Sequence, residues 1–198
     1  ATIHPCFLSA YNGYGAKDYD PFPKPAMNSA EAVEMTKMWV EMVKKYGPKA
    51  WTSYIWYEVG TDLGQGRACM IYDADILGYF QNQPGASKVS GKLAWAPGPG
   101  APGAKPAPNM WIWSLGMNAA SKTKDAAWYF LQWATGKEFL LKAVRGEYSL
   151  VDPVRKSVWA DAGFQKKLEN FTDYYKTFQE IIPTCKVYFT PQPMFFET

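Results

Sequence analysis

The chain has 198 residues, 47% of them hydrophobic and 17% aromatic, with 21 Lys and Arg against 18 Asp and Glu for a formal charge of +3. That is enough apolar material for a sizeable core, in one domain or two small ones. The basic residues are scattered and form no tract or nucleic-acid motif, no apolar run is long enough to span a membrane, and Ala1-Thr2-Ile3-His4-Pro5 does not open a signal peptide, although a mature or trimmed exported protein would look the same.

In chain order, Asp20-Pro21-Phe22-Pro23-Lys24-Pro25 reads as a rigid extended loop, because proline fixes φ and removes a donor. Asn28-Ser29-Ala30-Glu31 then forms a capping box for a helix that Gly47-Pro48 stops near Tyr46, with Val33, Val40, Val43, Trp39 and Met42 on its buried side. Gly64-Gln65-Gly66 leads into a short buried strand over 67–72, ending at Asp73 and Asp75, with a short helix through Tyr79. Val89 to Trp95 reads as another strand. Five prolines and three glycines between 97 and 108 make the next stretch a loop. Trp111, Trp113, Leu115 and Met117 alternate with Ile112, Ser114 and Gly116, the period of a strand.

Ser121 can cap a helix through Thr135 with Ala127, Phe130, Leu131 and Ala134 inward, and Gly136 breaks it before a second helix over 137–144. Asp152-Pro153 reads as the cap and first position of a short helical turn. Asp161 caps the next helix, whose inner stripe is Phe164, Leu168, Phe171 and Phe178, and Pro183, Pro191 and Pro193 leave an extended tail. The alternation of strand and helix patterns predicts an α/β fold, without internal repeats.

The residue chemistry favours binding over catalysis. The single histidine, His4, has nothing nearby to orient it as a catalytic base. Cys6, Cys69 and Cys185 are too few and too far apart for a disulfide scaffold or a compact thiolate metal site; three small buried side chains is the simplest reading, and one bridged pair the other. Asp73 with Glu58 could serve a glycoside-active enzyme, but neighbouring carboxylates repel and an acid and its nucleophile normally face each other across a cleft. Asp73 and Asp75 can instead accept hydrogen bonds from ligand hydroxyls, or cap a helix, which suits Asp75 better.

Trp56, Tyr57, Trp95, Trp111, Trp113 and Trp159 lie in or beside segments that read as strand ends and loops. Flat rings beside hydrogen-bonding groups suit a ligand with a C–H face and many hydroxyls, a polyol or sugar. Arg155 offers a planar fork of donors to a diol or carboxylate, or makes a surface ion pair. A shallow carbohydrate-recognition module that does not serve transport stays open as an alternative.

At these residues the chain resembles a known family, the carbohydrate-type extracellular solute-binding proteins of bacterial ABC importers, and within it the branch that binds polyols such as sorbitol and mannitol. The stretches that carry the likeness are Asn28-Ser29-Ala30-Glu31-Ala32-Val33, Tyr54-Ile55-Trp56-Tyr57-Glu58-Val59, Gly64-Gln65-Gly66-Arg67-Ala68-Cys69-Met70, Ser87-Lys88-Val89-Ser90-Gly91-Lys92-Leu93, Ala96-Pro97-Gly98-Pro99, and Trp113-Ser114-Leu115-Gly116-Met117-Asn118-Ala119-Ala120-Ser121-Lys122, followed by Ala126-Ala127-Trp128-Tyr129-Phe130. Their order and spacing across roughly residues 5 to 195 are more specific than any single piece. Where the family commonly has glycine before the strand tryptophan, this chain has Ile112 between Trp111 and Trp113.

The resemblance implies a class II periplasmic-binding-protein-like α/β fold, present here in part. Residues 1–109 would belong to the second lobe and residues 110–198 to hinge-crossing segments between lobes, with most of the first lobe absent. It implies a ligand site at Trp56, Tyr57, Asp73, Trp111, Trp113 and Arg155, with Asp75 and Trp111 the weaker members, and no catalytic residue, cofactor or metal. The implied partners are a polyol or sugar, the membrane permease of an ABC importer and the first-lobe portion of the same protein. No nucleic-acid partner or membrane span is implied. The implied location is the periplasm or cell exterior, where the full-length protein can carry a lipid anchor.

Overall fold

The computed structural model describes residues 3–146 and 152–187, with side chains from Cys6 onward. The extended tail expected around Pro191 and Pro193 lies outside the described residues, and so does the side chain of His4.

The first element is a helix that the sequence pattern had not marked, α1 (Ile3–Gly13). Pro5 sits in its first turn, where no backbone N–H is needed for the intrahelical ladder. α2 (Ala30–Tyr46) follows, and its cap is Ser29, whose side chain accepts from the Ala32 amide at 3.3 Å. The expected box is therefore shifted by one residue. On the buried side Trp39, Met42 and Val43 lie as expected, joined by Ala32 and Met35, while Val33 and Val40 face solvent. Ala10, Tyr11, Ala16, Ala32, Met35 and Trp39 form a small core between α1 and α2, with Phe7 meeting Trp39 edge to face at 5.7 Å. The proline-rich loop between them folds back on itself instead of extending. Tyr19 bridges to Pro25, and the Asp20 amide donates to the Lys24 carbonyl at 2.9 Å.

α3 (Trp56–Gly64) and α4 (Asp75–Asn82) lie side by side. Two glycines a turn apart on α3 permit the close approach. A Cβ at Gly60 would stand 3.0 Å from Leu77 Cδ2, and one at Gly64 only 1.9 Å from Gln81 Oε1. Further on come α5 (Lys124–Ala134), α6 (Lys137–Arg145), α7 (Lys156–Trp159), α8 (Ala162–Leu168) and α9 (Tyr174–Ile181). Asp161 caps α8 as expected, its Oδ1 accepting from the Phe164 amide at 3.0 Å. The helix ends at Leu168, however, and the predicted inner stripe is divided between α8 and α9. Tyr79, Leu140, Val144, Val158, Phe164, Leu168, Phe171 and Tyr174 make the larger core, joining α4, α6, α7, α8 and α9.

The expected α/β fold is not what the structure shows. Among the described residues there is no strand and no sheet, only two isolated bridges, Tyr19–Pro25 and Asn109–Lys186. Residues 70–72 and 92–100 carry no helix, and 111–118 run without regular structure, but none of them has a laddered neighbour. Val89 to Gly91, expected to open a strand, lie in turns. An alternating pattern fixes an extended backbone; a strand also needs a partner about 4.8 Å away to take its hydrogen bonds. The nearest approach to one is at Met110, whose amide donates to the Lys186 carbonyl at 2.7 Å, while the Lys186 amide donates to the Pro108 carbonyl at 3.0 Å.

Two further expectations are corrected. Cys69 is exposed, so the three cysteines are not uniformly buried. On α5, Ala127, Leu131 and Ala134 are half-covered, but Phe130 is exposed and no α5 residue is buried.

Candidate functional site

The aromatic-acidic segment forms the start of α3, not a strand end. Glu58 reaches back so that its Oε2 accepts from the Ile55 amide at 2.9 Å, an orphan donor of the first turn. This places Trp56 and Tyr57 at the outer end of the helix, their rings 5.4 Å apart and edge to face, with Tyr57 67% exposed. Glu58 is thereby a helix-start residue. Behind it lies a network that sequence reasoning missed: the Tyr54 hydroxyl donates to Asp62 Oδ2 at 2.7 Å and Arg67 Nε donates to Asp62 Oδ1 at 2.7 Å. The Tyr54 hydrogen bond, then Arg67, hold the Asp62 carboxyl below its usual range. The signal available in the sequence was only the pair of opposite charges five residues apart.

Asp73 ends the irregular segment before α4. Its Oδ1 accepts from the Ala74 amide at 2.7 Å, and the Cys6 thiol of α1 donates to the same carboxyl group. Burial raises the Asp73 carboxyl, and burial together with the nearby Asp73 charge pushes the Cys6 thiol up to about 12. Asp75 does not cap α4: Ala74 holds the cap position, and Asp75, the first helical residue, turns inward to Tyr174. Nor does Asp152 cap α7. It adopts a left-handed backbone, φ 54°, and its side chain meets the same tyrosine, while α7 starts four residues later behind Arg155.

Arg155 is exposed, and among the described residues it makes no ion pair. Its Nε donates to the Thr135 carbonyl at 2.7 Å, satisfying an orphan acceptor at the end of α5. Trp111 and Trp113 stand on the irregular segment with ring centroids 6.5 Å apart, 52% and 88% exposed. Trp95 and Trp159, also marked for strand ends and loops, pack against the larger core instead, with Trp95 Nε1 donating to the Asp75 carbonyl at 3.2 Å.

The six candidate residues thus fall into four local groups: Trp56 with Tyr57, Asp73 with Cys6, Trp111 with Trp113, and Arg155 with the α5 terminus. Two surface depressions are lined by other residues, one along the outer face of α2, the other between the 82–91 turns and the α8 end around Lys167 and Phe171. Among the described residues, no three His, Cys, Asp or Glu side chains converge as a metal site, and no helix is long and apolar enough to cross a membrane.

Comparison with known proteins gives consistent results. Residues 7–139 match the family described as bacterial extracellular solute-binding protein. Over its whole length the chain is 46% identical to 42% of the erythritol/L-threitol-binding protein of Mycolicibacterium smegmatis. Over 76% of its length it is 29% identical to 35% of the mannitol-binding protein of Pseudomonas aeruginosa. The crystal structure of an ABC transporter solute-binding protein from Agrobacterium vitis S4 with bound D-mannitol superposes with a TM-score of 0.76 at 27% identity, covering 97% of this chain and 49% of that one. The chain therefore spans less than half the length of the proteins it matches.

Proposed function

This chain belongs to the bacterial extracellular solute-binding protein family, and from that premise we propose that it grips a polyol or sugar for delivery to the permease of an ABC importer. The family is one of extracellular binding proteins, so the chain is a binding protein and not an enzyme. The observation that carries the ligand class is the 46% identity, along the entire chain, to a protein named for binding erythritol and L-threitol. Paired rings support it, because half-buried Trp56 and exposed Tyr57, Trp111 and Trp113 can cover the C–H faces of a polyol while hydroxyls point elsewhere. Arg155 keeps donors beyond the one used at Thr135, and Asp73 keeps acceptor capacity beyond its two bonds.

In this reading residues 1–109 are part of a second lobe, and residues 110–198 cross between the lobes. The exposed aromatic surface of 111–133 packs against the first lobe, which is the portion of the relatives this chain does not span. Ligand that touches both lobes only when they are closed shifts the hinge equilibrium, and the closed form is what the permease reads.

The test is calorimetric titration of the full-length protein with erythritol, mannitol and ribitol. Trp113→Ala should weaken polyol binding by at least about tenfold, roughly 1.4 kcal/mol, with the fold retained. An unchanged affinity removes Trp113 from the site. The 198-residue chain alone should bind weakly or not at all, and tight binding by it would overturn the two-lobe reading.

A further inference from the structure

Three side chains that the binding reading leaves unused meet in the interior. Asp75 opens α4, Tyr174 opens α9, and Asp152 lies between α6 and α7, so residues distant in sequence converge on one point. The Tyr174 hydroxyl is 3.1 Å from Asp75 Oδ2 and in hydrogen-bond contact with Asp152 Oδ1. The two carboxyl groups therefore converge on one hydroxyl oxygen. Both aspartates keep some exposed surface, but their carboxyl ends lie beneath Tyr174, which is buried against Tyr79 and Trp95.

The proton count decides what this cluster is. A phenol brings one proton and can donate it to one acceptor at a time. With both carboxyl groups on the same phenol oxygen, the second bond needs a proton of its own on a carboxyl group, and two like charges gathered there in a covered site cannot both persist.

Among the described residues, the groups facing the pair supply no compensating cation. From α4 comes the Tyr79 phenol, raised by burial and by Asp152. From beyond α9 comes the Cys185 thiol, raised by burial and by Asp75, and from α9 comes Tyr174 itself. Among the described residues no lysine or arginine is hydrogen-bonded or ion-paired to either carboxyl. Burial first, and Asp75 second, hold the Asp152 carboxyl well above the ordinary carboxylate range.

We propose that Asp75, Asp152 and Tyr174 form a proton-held latch that pins segment 152–159 onto α4 and α9 while the pair keeps its proton and loosens it as pH rises. Within the segment Trp159 Nε1 donates to the Pro153 carbonyl at 2.6 Å; its far end is held by buried Val158 and by Trp159 on Phe178, and Arg155 Nε reaches Thr135 from between, so the latch bears on where Arg155 stands. The consequence for Arg155 rests on the binding reading; the latch itself does not. Its sign follows from linkage. Between the ordinary aspartate value of about 4 and the raised value of the pair, the native state holds a proton that the unfolded chain has lost. Stability from the latch is therefore present at the acid side of that window and is lost as pH rises through it.

The experiment uses the full-length protein without ligand, so failure of the latch is separable from failure of the binding reading. Infrared difference spectra at neutral pH should show the carbonyl stretch of a protonated carboxylic acid, which Asp152→Asn removes. As pH rises from the ordinary aspartate value of about 4 the wild-type Tm should fall relative to that of Asp152→Asn, whose amide carries its donor protons at any pH. Should that variant not fold, Asp75→Asn makes the same comparison from the other side. If wild type lacks the neutral-pH carboxylic-acid band, or a folded variant keeps both the band and the wild-type pH slope, the latch does not exist.

Discussion

The C-terminal helices and the stretch from 110 to 134 are built from the same kinds of side chain and come to opposite ends. In the first, Tyr79 stacks on Phe171 at 4.4 Å, Trp159 stacks on Phe178 at 3.9 Å, and Phe164 and Val158 are fully buried. In the second, Trp111, Trp113, Trp128, Tyr129, Phe130 and Trp133 are each more than half exposed, and α5 buries no residue at all. Aromatic content alone therefore distinguishes neither core from surface. What separates the regions is the presence of an opposing element. α4, α6, α7, α8 and α9 supply one another, whereas α5 meets α6 at its end and offers the rest of its rings to solvent. Exposed apolar side chains in such number are what an interaction site offers, and the relatives are more than twice as long as this chain.

The sharpest way to break this comparison is to truncate one ring from each side. Phe164→Ala opens a cavity under α8 and should cost about 3–5 kcal/mol in urea unfolding, whereas Trp113→Ala in the same chain should stay within about 0.5 kcal/mol because little surrounds the ring to collapse. Equal losses would mean that the exposed stretch is as well packed as the core.

Local chemistry made some helix boundaries readable. Gly136 and Asp161 act through a break and a cap within one turn, so their neighbours in sequence suffice, whereas the caps of α2 and α5 fall one and two residues beyond Asn28 and Ser121. The ordered motifs likewise pointed to the family that the comparison shows. The strands were not readable, because alternation at 111–117 reports an extended backbone and is silent about whether a second chain segment lies alongside. The inward face assigned to α5 fails for a related reason: a helical period says which side is apolar, not whether anything covers it. At the candidate site, the partners of Asp73, Asp75 and Arg155 come from α1, α9 and the end of α5, and no spacing rule links residues 67, 99 or 20 positions apart. Asp75 and Asp152 both looked like helix caps for that reason. Their common partner lies elsewhere in the chain.

The two regions also differ in how their helices begin. Asp161 caps α8 and pairs with Arg145, while Thr123 precedes α5 without a side-chain cap. Asp161→Ala should lower the Tm, and Thr123→Ala should leave it nearly unmoved. The Arg145 hydrogen bond, then the Phe164 amide, depress the Asp161 carboxyl, so its contribution is present above the ordinary carboxylate range and lost as pH falls through the lowered value. That sign is opposite to the latch. The Arg145 partner of Asp161 is half exposed, so salt should weaken the pair, whereas the Asp75–Asp152 response should be insensitive to salt. A Tm for Asp161→Ala equal to wild type would show that the packed region does not depend on its caps.

The smallest effect is the most informative about the exposed face. Tyr129 is 77% exposed on α5, so Tyr129→Ser in this 198-residue chain should change unfolding free energy by no more than about 0.5 kcal/mol. In the full-length protein the same substitution should cost more, since a ring packed against the other lobe loses its buried area on truncation. The difference between the two contexts measures what covers α5 without any assumption about ligand. If the cost is the same small value in both, nothing in the longer protein packs on Tyr129, and the exposed aromatic surface must be explained by a separate partner.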